Sequence, residues 1–159
     1  LLPSQRGFGE DLQASNVITP IIDLTSTAQG TSTPQYLQTA IAFGSQTAFS
    51  ASNSTAVIAN SPGFYRIFAG VAKTASSGGT IGASFTMSDG LTNKTVWALE
   101  TGAIANTADS LVLDFTVFLA SGESISCGTN NAACFIKGSV RQVADVNGVL
   151  TNPSGFTPQ

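Results

Sequence analysis

The stretch "SLVLDFTVFLASGE", residues 110–123, constrains the fold more than any other part of the chain. Leu111, Leu113, Phe115, Val117 and Leu119 alternate strictly, and a period of two puts all of them on one face of a β-strand. The opposite face of a half-buried strand is normally polar, yet here Val112 and Phe118 stand beside Ser110, Asp114 and Thr116. The same two-sidedness recurs where Phe64 and Phe68 oppose Tyr65 and Ile67, and where Val96 opposes Trp97. One face of these strands belongs to the chain's own core. The other needs a second cover, which either another segment of the same chain or another protein molecule supplies.

From residue 46 onward the sequence reads as short strands between turns. "QTAFSAS" and "TAVIA" meet at Asn53-Ser54; "NSPG" leads into "GFYRIFAGVAKT", and "SSGG" precedes "TIGASFTMSD". Asp89-Gly90 begins the turn before "KTVWALE", a loose segment follows, and "ESISCG" and "ACFIKGSVRQVA" come after the opening strand. In "IGASFTMS", Ile81, Ala83, Phe85 and Met87 face one way while Gly82, Ser84, Thr86 and Ser88 face the other. About eight strands with turn chemistry between them predict an all-β fold, an antiparallel β-sandwich with jelly-roll topology. Its expected core is Ile67, Val71, Ile81, Phe85, Met87, Trp97, Leu99, Leu111, Leu113, Phe115, Val117, Ile125, Ile136 and Val140. The sandwich is placed at residues 35–150, between an extended arm at 1–34 and a tail at 151–159.

Helix signals concentrate in "TPQYLQTAIAFG", residues 33–44. Thr33 can cap, Pro34 suits a first turn and Gly44 can close the end, with a strand as the alternative because two β-branched residues and short length weaken the case. In the arm, Pro20 argues against a central strand or a helix, and Val17, Ile18, Ile21, Ile22 and Leu24 are many large aliphatics for a solvated leader. The segment reads either as a disordered leader or as a strap that lies along a neighbour, with these residues as its anchors.

Composition removes whole classes of chemistry. The chain has no histidine, which excludes Ser/His/Asp and Cys/His catalysis, and its two cysteines cannot make a four-thiolate zinc site. Its nine acids fall mostly in turns or in the arm, where solvated residues are expected, so a carboxylate-pair hydrolase has little to build on. No catalytic, cofactor-binding or metal-ligating set is expected, and the reading is of a non-enzyme. Six Lys and Arg against nine Asp and Glu, without a basic cluster, make nucleic acid an improbable partner. No apolar run approaches the roughly 18 residues of a membrane-spanning helix. Only 9% of residues are charged, so copies of the chain repel one another weakly. Cys127 and Cys134 flank "GTNNAA" and are either two buried thiols or a pair bridged across a hairpin in an oxidising compartment.

The succession "PGFYRIFAG", "TMSDGLTNKTVW", "LDFTVFLASGESI" and "GSVRQVADVNGVLTNP", preceded by "ITPIIDLTSTAQG", resembles small virion structural proteins of tailed bacteriophages, most of all head decoration or cement proteins. The likeness spans roughly residues 17 to 153, and a tail-fibre or receptor- and carbohydrate-binding module is the alternative it leaves open. The resemblance implies a homotrimer, made in the host cytoplasm, that binds the major capsid protein on the outer capsid lattice and stabilises it by bridging capsomers. It would assign Val17, Ile18, Ile21, Ile22 and Leu24 to capsid contact, and Tyr65, Phe68, Val112 and Phe118 to contact among copies. A binding module would instead need an exposed aromatic, for which Trp97 and Phe8 are the candidates.

Overall fold

The computed structural model describes residues 39–74, 79–101 and 108–155, which carry eight strands. They are β1 (Thr47–Ser52), β2 (Thr55–Ala59), β3 (Gly63–Lys73), β4 (Ile81–Ser88), β5 (Asn93–Thr101), β6 (Asp109–Leu119), β7 (Ser124–Thr129) and β8 (Cys134–Ala144). Four run in the order β1-β8-β3-β6 and four in the order β2-β7-β4-β5, every pairing antiparallel. This interleaving of early and late strands is the jelly-roll form of the sandwich that the spacing of strands and turns predicts.

Alternation decides which side chains meet between the sheets. Along β3, Tyr65, Ile67, Ala69, Val71 and Lys73 are buried, while Phe64, Arg66, Phe68, Gly70 and Ala72 point outward. Phe85 on β4 is fully buried and receives three rings edge-on: Phe49 of β1 at 6.3 Å, Trp97 of β5 at 5.9 Å and Phe115 of β6 at 5.3 Å between centroids. Edge-to-face contacts of this kind add about 0.5–1.5 kcal/mol each beyond area burial. The expected core residues all lie in the buried cluster or pack against it. Leu119, Ala51, Ile58, Tyr65, Ala69, Ala83 and both cysteines belong to it as well.

Close packing of strands depends on one glycine. Gly138 of β8 sits opposite Ala69 of β3 and Phe49 of β1. A Cβ there would overlap the Phe68 carbonyl oxygen and lie 2.7 Å from the Ala69 Cα, so no side chain fits without moving backbone.

The expected helix at residues 33–44 is not present in its described part. Ala42 is extended (φ −124°, ψ 141°), and a single 3₁₀ turn at Phe43–Ser45 precedes β1. Ile41 and Phe43 are exposed, so the apolar stripe meets no core that would stabilise so short a helix. Thr33, Pro34, Tyr36 and Leu37 lie outside the described residues, as does the whole arm with Val17, Ile18, Ile21, Ile22 and Leu24. At the other end, residues placed in the tail are held to the sandwich: Thr151 N–H donates to the Val143 carbonyl at 2.9 Å, and Pro153 is buried.

Cys127 and Cys134 are both buried and not bonded to each other. Burial pushes the Cys127 thiol up to about 11 from an ordinary 9.0. The folded state therefore keeps a proton that the unfolded chain releases. Stability is complete below about pH 9 and declines as pH rises toward 11. Thermal melts from pH 8 to 11 should show a steeper decline for the natural chain than for Cys127→Ala, whatever constant offset the lost thiol introduces. Separately, Gly138→Ala should destabilise the sandwich by about 3 kcal/mol or more, measurable by urea unfolding.

Candidate assembly surface

The second face of the opening strand is open. The outer side of the β3–β6 ribbon places Phe64 opposite Phe118, Phe68 opposite Asp114, and Gly70 opposite Val112. Val112 is 69% exposed, Phe68 44% and Phe118 42%. The Phe64 and Phe118 rings lean together at 4.7 Å and 44°, which fixes one end of an apolar stripe. Tyr65 is the correction. Only 8% of it is exposed, because it shares the inward parity of Ile67 and Val71, and it is not available to a neighbouring molecule.

A single ion pair interrupts the stripe. Arg66 forks Asp114, with Nε donating to Oδ1 at 3.0 Å and Nη2 to Oδ2 at 2.7 Å, while Nη1 donates to the Thr39 carbonyl at 3.1 Å. The side-chain hydrogen bonding between Arg66 and Asp114 is the largest cause both of the raised Arg66 pKa and of the lowered Asp114 pKa. Both side chains remain over a third exposed, so the fork orients the surface more than it stabilises the fold.

The stripe continues around a sheet edge into a cleft. β6 and β5 are the edge strands on one side of the sandwich. Their inward residues Leu113, Phe115 and Trp97 are only partly buried. With Met87, Val96 and Phe118 they line an apolar opening of about 540 Å³ between the sheets. A bulge in the β4–β5 pairing beside Thr95 and Trp97 leaves Val96 outside the ladder and exposed. Trp97 turns its ring onto Phe85, which is core packing rather than a platform for a ligand; Phe8 lies outside the described residues.

Other concave surface is polar and less informative. A groove of about 330 Å³ on the outer face of the second sheet is lined by Gly82, Ser84, Glu100, Gly128 and Asn130 among others, with no aromatic side chain. Among the described residues, no three His, Cys, Asp or Glu side chains come together as metal ligands. Asp89 is engaged in its own turn, where Oδ1 accepts the Leu91 and Thr92 N–H groups at 2.8 and 2.6 Å. Those backbone donors lower its pKa. What the described surface offers is a set of exposed apolar side chains, broken by one ion pair, beside an apolar cleft, and such areas mark protein contact sites.

Comparison with known proteins points the same way. No protein-family model matches the chain, and no curated protein matches it. A crystal structure of a pentameric capsid protein isolated from metagenomic phage sequences is 33% identical to it, covers 82% of this chain and 80% of its own, and superposes with a TM-score of 0.68. A second crystal structure of a pentameric capsid protein from metagenomic phage sequences, solved by iodide phasing, gives 33% identity, coverage of 82% and 81%, and the same TM-score of 0.68.

Val112→Asp and Phe118→Asp should leave far-UV circular dichroism unchanged while lowering self-association in sedimentation. Ile67→Asp, on the buried face of the same ribbon, should unfold the chain. Loss of fold in all three would show that the outer face is covered from within.

Proposed function

This chain belongs to the same family as that pentameric phage capsid protein, and on that premise we propose that it is a non-enzymatic structural component of a phage virion that works as a closed ring of copies. The observation that carries the reading is the 33% identity over four fifths of both chains with a protein described as a pentameric capsid protein. The open β5–β6 edge and the outer stripe of Phe68, Val112 and Phe118 support it, since a subunit that remained alone would leave them in water.

For the number of copies the proposal takes five, as in the related pentameric capsid protein, where the resemblance to decoration proteins implied three. A ring of more than two copies uses two different patches on each subunit, and the apolar edge supplies one of them. In its finer form the proposal keeps the decoration role: the ring binds the capsid lattice, contacts the major capsid protein, and bridges neighbouring capsomers. Val17, Ile18, Ile21, Ile22 and Leu24 remain proposed contact residues of the amino-terminal segment. The tail-fibre or carbohydrate-binding alternative is weakened by Trp97, whose ring is held edge-on against Phe85.

Sedimentation equilibrium at tens of micromolar should return a mass of five chains, and labelling of intact particles should place the protein on the head. A strict monomer that is also missing from purified virions would remove the proposal. Location on the tail would leave the ring and refute the decoration role.

A further inference from the structure

Arg141 is a buried cation whose charge its neighbours do not answer. It lies on the outward parity of β8, opposite Arg66 of β3, yet it is only 3% exposed. Nη2 donates to the Thr151 carbonyl at 2.7 Å, while Nε and Nη1 are buried with no hydrogen-bond partner among the described residues. Burial first, and the like charge of Arg66 second, lower its pKa. Outward positions of β3, β6 and β8 carry Arg66, Lys137 and Arg141 against Asp114 alone, and Asp114 is forked by Arg66. Asp145, just past the end of β8, is committed to its own turn, where Oδ1 accepts the Asn147 and Val149 N–H groups at 2.8 and 3.0 Å.

Beside Arg141 is a small cavity of about 80 Å³, walled by Arg66, Arg141, Ser139, Gln46, Phe68 and Ile41. These walls belong to one compact unit, Thr39–Gly155. The space is far below the roughly 300–1,000 Å³ of a small-molecule pocket, and suits a halide or an ion no bigger than acetate. Its polar walls are rich in donors: two guanidinium groups, the Ser139 hydroxyl and the Gln46 amide. Phe68 and Ile41 make the rest of the wall apolar, and a charge-assisted hydrogen bond is stronger there than in open water. A water could fill the hydrogen bonds but would leave the buried charge uncompensated.

We propose that this cavity is a binding site for a single small monovalent anion, a halide or a compact carboxylate such as acetate. Charge favours the match, because Arg66 and Arg141 against Asp114 leave a single positive charge at the site, which a monovalent anion neutralises. Depth favours a free ion over an acidic side chain of a second protein molecule. A cavity this small, around so inaccessible a guanidinium, leaves little room for a carboxylate still attached to its backbone. The ion would act as a structural clasp. Arg66 bonds the Thr39 carbonyl where the described fold begins, and Arg141 bonds the Thr151 carbonyl where the chain returns along β8. An anion held between the two arginines would tie both ends of the unit to the centre of the sheet, and the sandwich would be more stable in chloride than ionic strength alone explains.

The test uses the full chain and exchanges sodium gluconate, whose anion is too large for the cavity, for sodium chloride at constant ionic strength. The melting temperature should rise saturably with chloride, by about 5 °C or more, and sodium acetate should substitute for chloride. Arg141→Met should melt at the same temperature in all three salts. Crystals grown in sodium bromide should show an anomalous peak within hydrogen-bond distance of Nε or Nη1 of Arg141, and where Arg141→Met fails to fold, that peak decides. Equal melting of the natural chain in the three salts, a chloride response that survives in Arg141→Met, or bromide crystals without the peak would each overturn the assignment. So would a melting temperature that follows protein concentration and ignores the anion, which would give the site to an acidic group of a second molecule.

Discussion

The packing of three rings onto Phe85 holds the two sheets at one separation and one register. Phe49 and Phe115 come from the first sheet, and Phe85 and Trp97 from the second, so the cluster ties the β1 side of the sandwich to its β6 side. If that centre loosened, the inward and outward sides of β3 and β6 would lose their meaning. The stripe on one side exists only because the other side is fixed against the core. Gly138 plays the complementary part: by carrying no side chain, it lets the β3 backbone at Phe68 and Ala69 come closer to β8 than any Cβ would allow.

The apolar edge and the jelly-roll interleaving are linked by geometry. An eight-stranded sandwich has four edge strands, here β1, β6, β2 and β5. The edges formed by β5 and β6 leave Leu113, Phe115 and Trp97 incompletely covered, and the neighbouring surface has little charge to discourage contact. A sandwich that faced only water would be expected to put charges there. The placement of exposed Val96 beside a bulge fits an edge shaped for a particular neighbour more than one blunted against all of them.

Much of this was legible in the sequence because strands report their faces through a period of two. The alternation in residues 110–119 predicted Val112 and Phe118 outward and Leu119 inward, and it did so without knowledge of the partner strands. Tyr65 was read on the same face as Ile67 but was given to contact among copies by the resemblance, and the structure buries it with that face. The part of the expected helix that is described, residues 39–44, is not helical because propensity and capping are local, whereas its stability would depend on a core that Ile41 and Phe43 do not meet. Arg141 was out of reach altogether. Its burial depends on Thr151 folding back beside it and on Arg66 across the sheet, and neither proximity leaves a mark in sequence spacing. The small core residues Ala51 and Ala69 were missed because alanine by itself carries little signal of which side it takes, whereas Ala83 was placed by the alternation of its neighbours.

The position of β8 between β1 and β3 bears on how the subunit is made. Thr47 pairs with Val140, and Ile67 also pairs with Val140, so the strand nearest the carboxyl end occupies the centre of its sheet. Until β8 has left the ribosome, β1 has no neighbour in that sheet and β3 has only β6. Contacts of such long sequence separation close late and slowly. A truncated or stalled chain would therefore lack a finished sheet, and with it the ordered outer face that copies would recognise. Only chains synthesised past β8 would then present that face to one another.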